Sequence, residues 1–176
     1  AYHWVSELYV SCPFDRHRDR ILVDGAGDIA HGLFYWDDAY PDSHLFADAE
    51  WLVRAKTPDF LLLHPMNVDD AGHKHGGDSV GYRNAARGQG DLLARHLPGW
   101  VEVGYTVIVT ADHGMGDDGN HAGPTPQETE VPFYTVGFRL DRDAPIKQTE
   151  IAGLICRLME IDPGQMPAFS GAVDPI

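Results

Sequence analysis

Apolar residues gather into three short runs along the chain, and around those runs they recur at helical spacing. Residues 59–66 (DFLLLHPM), 105–111 (YTVIVTA) and 131–137 (VPFYTVG) are bounded by turn-forming residues. This is the pattern of strands buried on both faces, as in a parallel sheet. Before the first run, Asp42 or Ser43 is placed to cap a helix reaching about Lys56, with Leu45, Ala49, Leu52 and Val53 on one face. A second helix is predicted over 79–97, where Leu92, Leu93 and Leu97 fall together and Pro98-Gly99 signals a stop. A third, over 148–161, aligns Ile151, Leu154, Ile155 and Leu158. The alternation predicts an α/β fold, a largely parallel sheet with helices on both faces. Residues 1–40 fit it poorly: "HWVSELY" suggests a helical turn, and 12–30 is an irregular stretch rich in Asp, Arg, Pro and Gly.

In open α/β sheets, ligands collect beyond the carboxyl ends of the strands. Two polar clusters lie at such ends, "NVDDAGHKHG" after the first run and "DHGMGDDGNH" after the second. From these clusters Asp69, His73, Asp112, His113 and His121 form a set of oxygen and nitrogen donors without a thiolate. Such a set suits zinc or manganese in a reactive site better than a closed structural zinc site. Gly72, Gly114 and Gly116 are the expected sharp turns. Asp70 competes with Asp69, and His75 is read as pocket lining or exposed. "DDGN" at 117–120 lacks the remaining positions of a calcium loop and reads as a turn. His3, His17, His31, His44, His64 and His96 read as surface or core histidines.

The chain has 176 residues, a formal net charge of -14 and a pI near 4.9, which disfavours binding to a nucleic-acid polymer or an anionic membrane. No apolar run approaches the length of a membrane span. Cys12 and Cys156 are far apart in no metal-type spacing, and can either pair or remain two thiols. Trp4, Tyr35 and Trp36 can line a substrate pocket or belong to the core. The opening Ala1-Tyr2-His3-Trp4, with neither methionine nor a leader pattern, suggests a chain that starts within a larger fold.

The blocks "DDAGHKHG" from Asp69, "TADHGMGDDGNHAG" and "ETEVPFYTVG", in that order, resemble the signature of the alkaline phosphatase superfamily, specifically its type I phosphodiesterase/nucleotide pyrophosphatase branch. The likeness covers about 58–161. It implies two divalent metal ions, zinc or alternatively manganese. Asp69, preferred over Asp70 on family spacing, would hold one ion with His73 and His121, and Asp112 with His113 would hold the other. It further implies a small phosphoester substrate, a nucleotide among the candidates, attacked by a serine or threonine through a covalent phospho-enzyme.

The family's nucleophile and a further metal-binding aspartate precede these blocks, and neither motif is present. Thr110, Thr125 and Thr129 do not match the nucleophile's position. The resemblance therefore predicts that residues 1–176 are the C-terminal part of one alkaline-phosphatase-like metallohydrolase domain, incomplete and inactive alone. Within it, 1–40 would be a substrate-side segment and 41–176 the α/β core, partnered by the N-terminal part of the same enzyme. The alternatives are a phosphomutase of the same superfamily or a non-catalytic metal-binding or interaction module. A sulfatase is disfavoured, because Cys12 lacks the C-x-P-x-R context.

Overall fold

Two helix starts that face each other set the arrangement of the chain. In the computed structural model, which describes residues 1–2, 5, 14–141 and 145–175, helix α1 spans Asp42–Ala55 and helix α2 spans Asn67–His75. The first amides of any α-helix lack intrahelical acceptors. Here each helix supplies the other's acceptor. The Asp42 amide donates to Asn67 Oδ1 (3.0 Å), while the Asp42 carboxylate accepts from the amides of Met66 (3.2 Å) and Asn67 (3.2 Å). Gln89 also donates to Asp42 from the next helix. Neither Asp42 nor Ser43 caps α1, whose N-cap is Pro41; the Asp42 side chain caps the neighbouring helix instead. Asp42 is only 3% exposed. Burial pushes its carboxyl pKa up, against the hydrogen bonds from Met66, Asn67 and Gln89 that favour the charged form.

Helix α1 buries Leu45, Phe46, Ala49, Leu52 and Val53, the stripe predicted from spacing with Phe46 added. Against it lies helix α3, Val80–Glu102, started by the Ser79 hydroxyl accepting from the Tyr82 amide (3.0 Å). This helix does not stop at Pro98-Gly99. Its next residue, Trp100, is buried against Phe46, Ala49 and Val53, and the indole N–H donates to Glu50 (2.7 Å). That anchoring outweighs the break a proline ordinarily imposes.

The predicted parallel sheet is not formed among the described residues. The strands make three two-stranded antiparallel sheets. β1 (Ile21–Leu22) pairs β2 (Gly32–Leu33), and β3 (Val107–Thr110) pairs β4 (Phe133–Val136). β5 (Phe138–Asp141) pairs β6 (Ala172–Pro175). A parallel return needs a crossover of a dozen or more residues, usually a helix packed on the sheet. Between β3 and β4 the only regular element is the single-turn α4, Pro126–Thr129. The chain therefore doubles back, and Val107 faces Val136 while Thr110 faces Phe133. Among the described residues, parallel pairing is confined to an isolated bridge between Tyr2 and Tyr35.

The first predicted strand, 59–66, joins no ladder among the described residues. Leu61 and Leu63 pack on the α1/α3 core, whereas Phe60 and Leu62 are exposed, so the run has one covered face rather than two. Helix α5, Gln148–Leu158, buries Gly153, Leu154 and Cys156 and packs with Phe138 and Phe169 in a separate cluster. His3, Trp4, Cys12 and all of the "HWVSELY" turn except the buried Val5 lie outside the described residues, and with them any pairing of Cys12 to Cys156. Tyr35 is buried beside Tyr2 and Leu45, whereas Trp36 is partly exposed beneath Arg16. No described helix is long and apolar enough to cross a membrane.

Two stability outcomes follow. Asp42→Ala leaves the Met66 and Asn67 amides without an acceptor and should cost about 1–3 kcal/mol in urea unfolding, whereas Ser43→Ala, at an exposed position, should change stability by less than about 0.5 kcal/mol. In α3, an added Cβ at Gly88 meets nothing within 4 Å. Gly88→Ala should therefore stabilise by roughly 0.5–1 kcal/mol, read in the same assay.

Candidate metal centre

Helix α2 places Asp69 and His73 one turn apart on the same face, with Asp69 Oδ2 3.5 Å from His73 Nε2. The predicted loop here is helical, so Gly72 is not a turn. Its absent side chain instead lets Met115 approach: a Cβ at Gly72 would lie 2.5 Å from Met115 Cε and 2.8 Å from Cγ. Nor do Gly114 and Gly116 take the left-handed backbone; that conformation falls at Gly119 (φ 78°). Gly114 serves close approach, since a Cβ there would lie 2.0 Å from the Gln127 carbonyl oxygen.

The second half of the centre comes from the segment after β3. Gly114 N–H donates to Glu128 O (2.8 Å), Met115 N–H to Gln127 O (2.9 Å) and Gly116 N–H to Asn120 O (2.7 Å). Glu128 in turn is buried and accepts from Thr125 and from the Gly123 amide (2.8 Å). Those two donors hold its carboxyl below the usual range, burial opposing them. Glu128 is not among the predicted site residues, yet the signal for its capping role is in the sequence. Thr125-Pro126-Gln127-Glu128 has capping-box spacing with proline at the first helical position.

These elements bring four side chains together. Asp69 Oδ1 lies 3.8 Å from His121 Nε2 and 3.9 Å from His113 Nε2. One ligand atom each from Asp69, His73 and His121 lie within 4.8 Å of one another. The His113 and His121 rings stack with centroids 3.6 Å apart. Asp112 stands to one side, its Oδ1 3.6 Å from His113 Nε2 and its Oδ2 3.6 Å from His64 Nε2. His64, expected as a surface or core histidine, is mostly buried (side chain 20% exposed) and lies beside Asp112. Its imidazole holds the Asp112 carboxyl down to about 2, against the opposing effect of burial. Asp70 pairs with Lys74 (2.7 Å) and is not part of the Asp69/His73/His121 group. His75 is exposed with its ring against Gly81.

The donors fit a divalent ion on two observations. Asp69 Oδ1 is buried and has no hydrogen-bond partner among the described residues, a costly state for a carboxylate oxygen unless a cation meets it. His73 Nδ1 lies 2.7 Å from Gly119 O and His113 Nδ1 2.8 Å from Gly114 O. A carbonyl can only accept, so each Nδ1 carries the proton and each Nε2 presents a lone pair toward Asp69, an arrangement typical of metal-binding histidines. The "DDGN" segment is a turn as predicted, and its Gly119 carbonyl orients a donor as well.

A family model for type I phosphodiesterase / nucleotide pyrophosphatase matches residues 3–125, more than half of the chain, and the chain belongs to that family. It is similar to GPI ethanolamine phosphate transferase 2 of Kluyveromyces lactis, 30% identical over 87 residues covering 49% of this chain and 11% of that protein. The same-named protein of Eremothecium gossypii is 29% identical over 145 residues, 77% of this chain and 18% of that one. GPI ethanolamine phosphate transferase 3 of Saccharomyces cerevisiae is 30% identical over 102 residues, 58% of this chain and 9% of that one. The chain thus spans between 9% and 18% of the length of these relatives. No solved structure matches it.

The contact between Gly72 and Met115 makes a checkable prediction. Gly72→Ala should destabilise by about 1–3 kcal/mol through overpacking. Combined with Met115→Ala, it should cost less than the sum of the two single variants, measured as a double-mutant cycle in denaturant.

Proposed function

We propose that this chain carries the ion-holding part of a metal-dependent centre that cleaves a phosphoester bond of a small substrate. Asp69, His73 and His121 would hold one divalent ion, and Asp112 with His113 the other, zinc being favoured and manganese the alternative. The observation that carries this reading is the buried, unpartnered Asp69 Oδ1 with the Nε2 atoms of His113 and His121 less than 4 Å away. Bound there, divalent ions would supply Lewis acidity toward phosphoryl oxygens and offset the charge of an anionic substrate. The protein's own work is orientation. The Gly119 and Gly114 carbonyls keep the protons of His73 and His113 on Nδ1, and α2 holds Asp69 and His73 at fixed separation.

With water as acceptor the reaction is hydrolysis. Transfer to an alcohol is the second reading, favoured by the names of the relatives, which are ethanolamine phosphate transferases. The covalent route implied by the family resemblance needs a hydroxyl aimed at phosphorus. Thr125 Oγ1 donates to Glu128 and Thr129 Oγ1 to the Thr125 carbonyl, which engages both in the α4 cap. The reading therefore includes low activity of these 176 residues alone, the nucleophile and a further metal-binding aspartate being supplied by other residues of the enzyme.

Metal titration by calorimetry tests the reading. The chain should bind zinc, and Asp69→Ala should weaken the tightest step at least tenfold without unfolding the protein. Equal binding by the wild type and Asp69→Ala would refute the metal assignment. With metal supplied, turnover of a chromogenic phosphodiester should stay far below about 1 per second. A rate at or above that value would mean that the nucleophile lies within these residues.

A further inference from the structure

Asp112 is the most exposed donor of the centre, its side chain 59% accessible, against 21% for Asp69. A carboxylate so open needs something to fix its rotation before it can present one chosen oxygen. Its backbone is pinned: Gln148, at the start of α5, donates to the carbonyls of Ala111 (3.0 Å) and Asp112. On the inner side, Oδ1 accepts from the His113 amide (3.1 Å) and lies 3.6 Å from His113 Nε2. On the outer side, the neighbour of Oδ2 is His64 Nε2 at 3.6 Å.

His64 is itself firmly placed. It lies near the end of the 59–66 run, its side chain is only 20% exposed, and its carbonyl accepts from the hydroxyl of the buried Tyr35 (2.9 Å). The geometry therefore sets an imidazole, tied to the core through a different chain segment, against the outer oxygen of a donor whose inner oxygen faces the centre.

We propose that His64 is a positioning residue for the Asp112–His113 half of the centre, holding Asp112 Oδ2 so that Oδ1 stays turned toward His113. It acts through Asp112. The proposal rests on the metal reading above and deepens it, since neither the sequence pattern nor the comparisons assign this histidine a role. Partners of this kind orient metal-binding groups, and their loss commonly costs tenfold to a hundredfold in metal affinity.

The test compares His64→Phe, which keeps a planar ring and loses the donor, with His64→Gln, which keeps a donor at similar reach. Zinc affinities and stoichiometry are read by competition with a chromophoric chelator, alongside thermal unfolding of the metal-free proteins. His64→Phe should weaken one binding step by about tenfold or more, and His64→Gln should stay within about threefold of the wild type. The effect of His64→Phe should vanish in an Asp112→Ala background. A merely structural role would give the opposite order, with Phe tolerated and Gln harmful. If the wild type binds zinc and His64→Phe binds it unchanged, the positioning role is overturned while the metal reading stands. If the wild type binds no zinc, both fall together.

Discussion

The exchange of hydrogen bonds between Asp42 and Asn67 is the constraint on which the rest of the molecule depends. Each residue opens a helix, and each meets the other's orphan amide, so neither helix can shift without exposing unpaired donors in a buried place. Asn67 extends the lock further, donating to the carbonyls of Asp38 and Tyr40 and thereby attaching the approach to α1. Because Asn67 opens α2, Asp69 and His73 are placed by the same lock, two and six positions along. A structural cap thus fixes the location of one half of the donor cluster.

Around the donors the support is layered. Imidazoles meet a carboxylate, backbone carbonyls of the 113–120 segment hold the far nitrogens of two of those imidazoles, and Glu128 holds that segment from behind. The cluster concentrates histidines in a chain whose formal charge is -14. A cation is well matched to that surrounding field, and an anionic phosphoester is not unless a cation accompanies it. Membership of the type I phosphodiesterase / nucleotide pyrophosphatase family is consistent with this chemistry. The helices and small antiparallel sheets seen here show that the cluster is assembled from local helix and turn geometry.

The amino-acid sequence by itself determined the elements that depend on neighbours a few residues away. The α1 stripe is set by helical spacing, the 117–120 turn by Asp and Gly, and the α5 face by Leu154 and Leu158. The candidate donors were legible for the same reason, since Asp69/His73 and Asp112/His113 are short-range patterns. Only the tertiary structure decided what depends on distant partners. The continuation of α3 through Pro98 comes from Trp100 reaching Glu50, and the antiparallel return of β4 from a connection too poor in helix to cross over. The single covered face of 59–66 and the setting of His64 beside Asp112 are likewise contacts across dozens of residues. Apolar spacing records that a face is buried, but a hydrogen-bonding partner far along the chain leaves no periodic trace in the residues it meets.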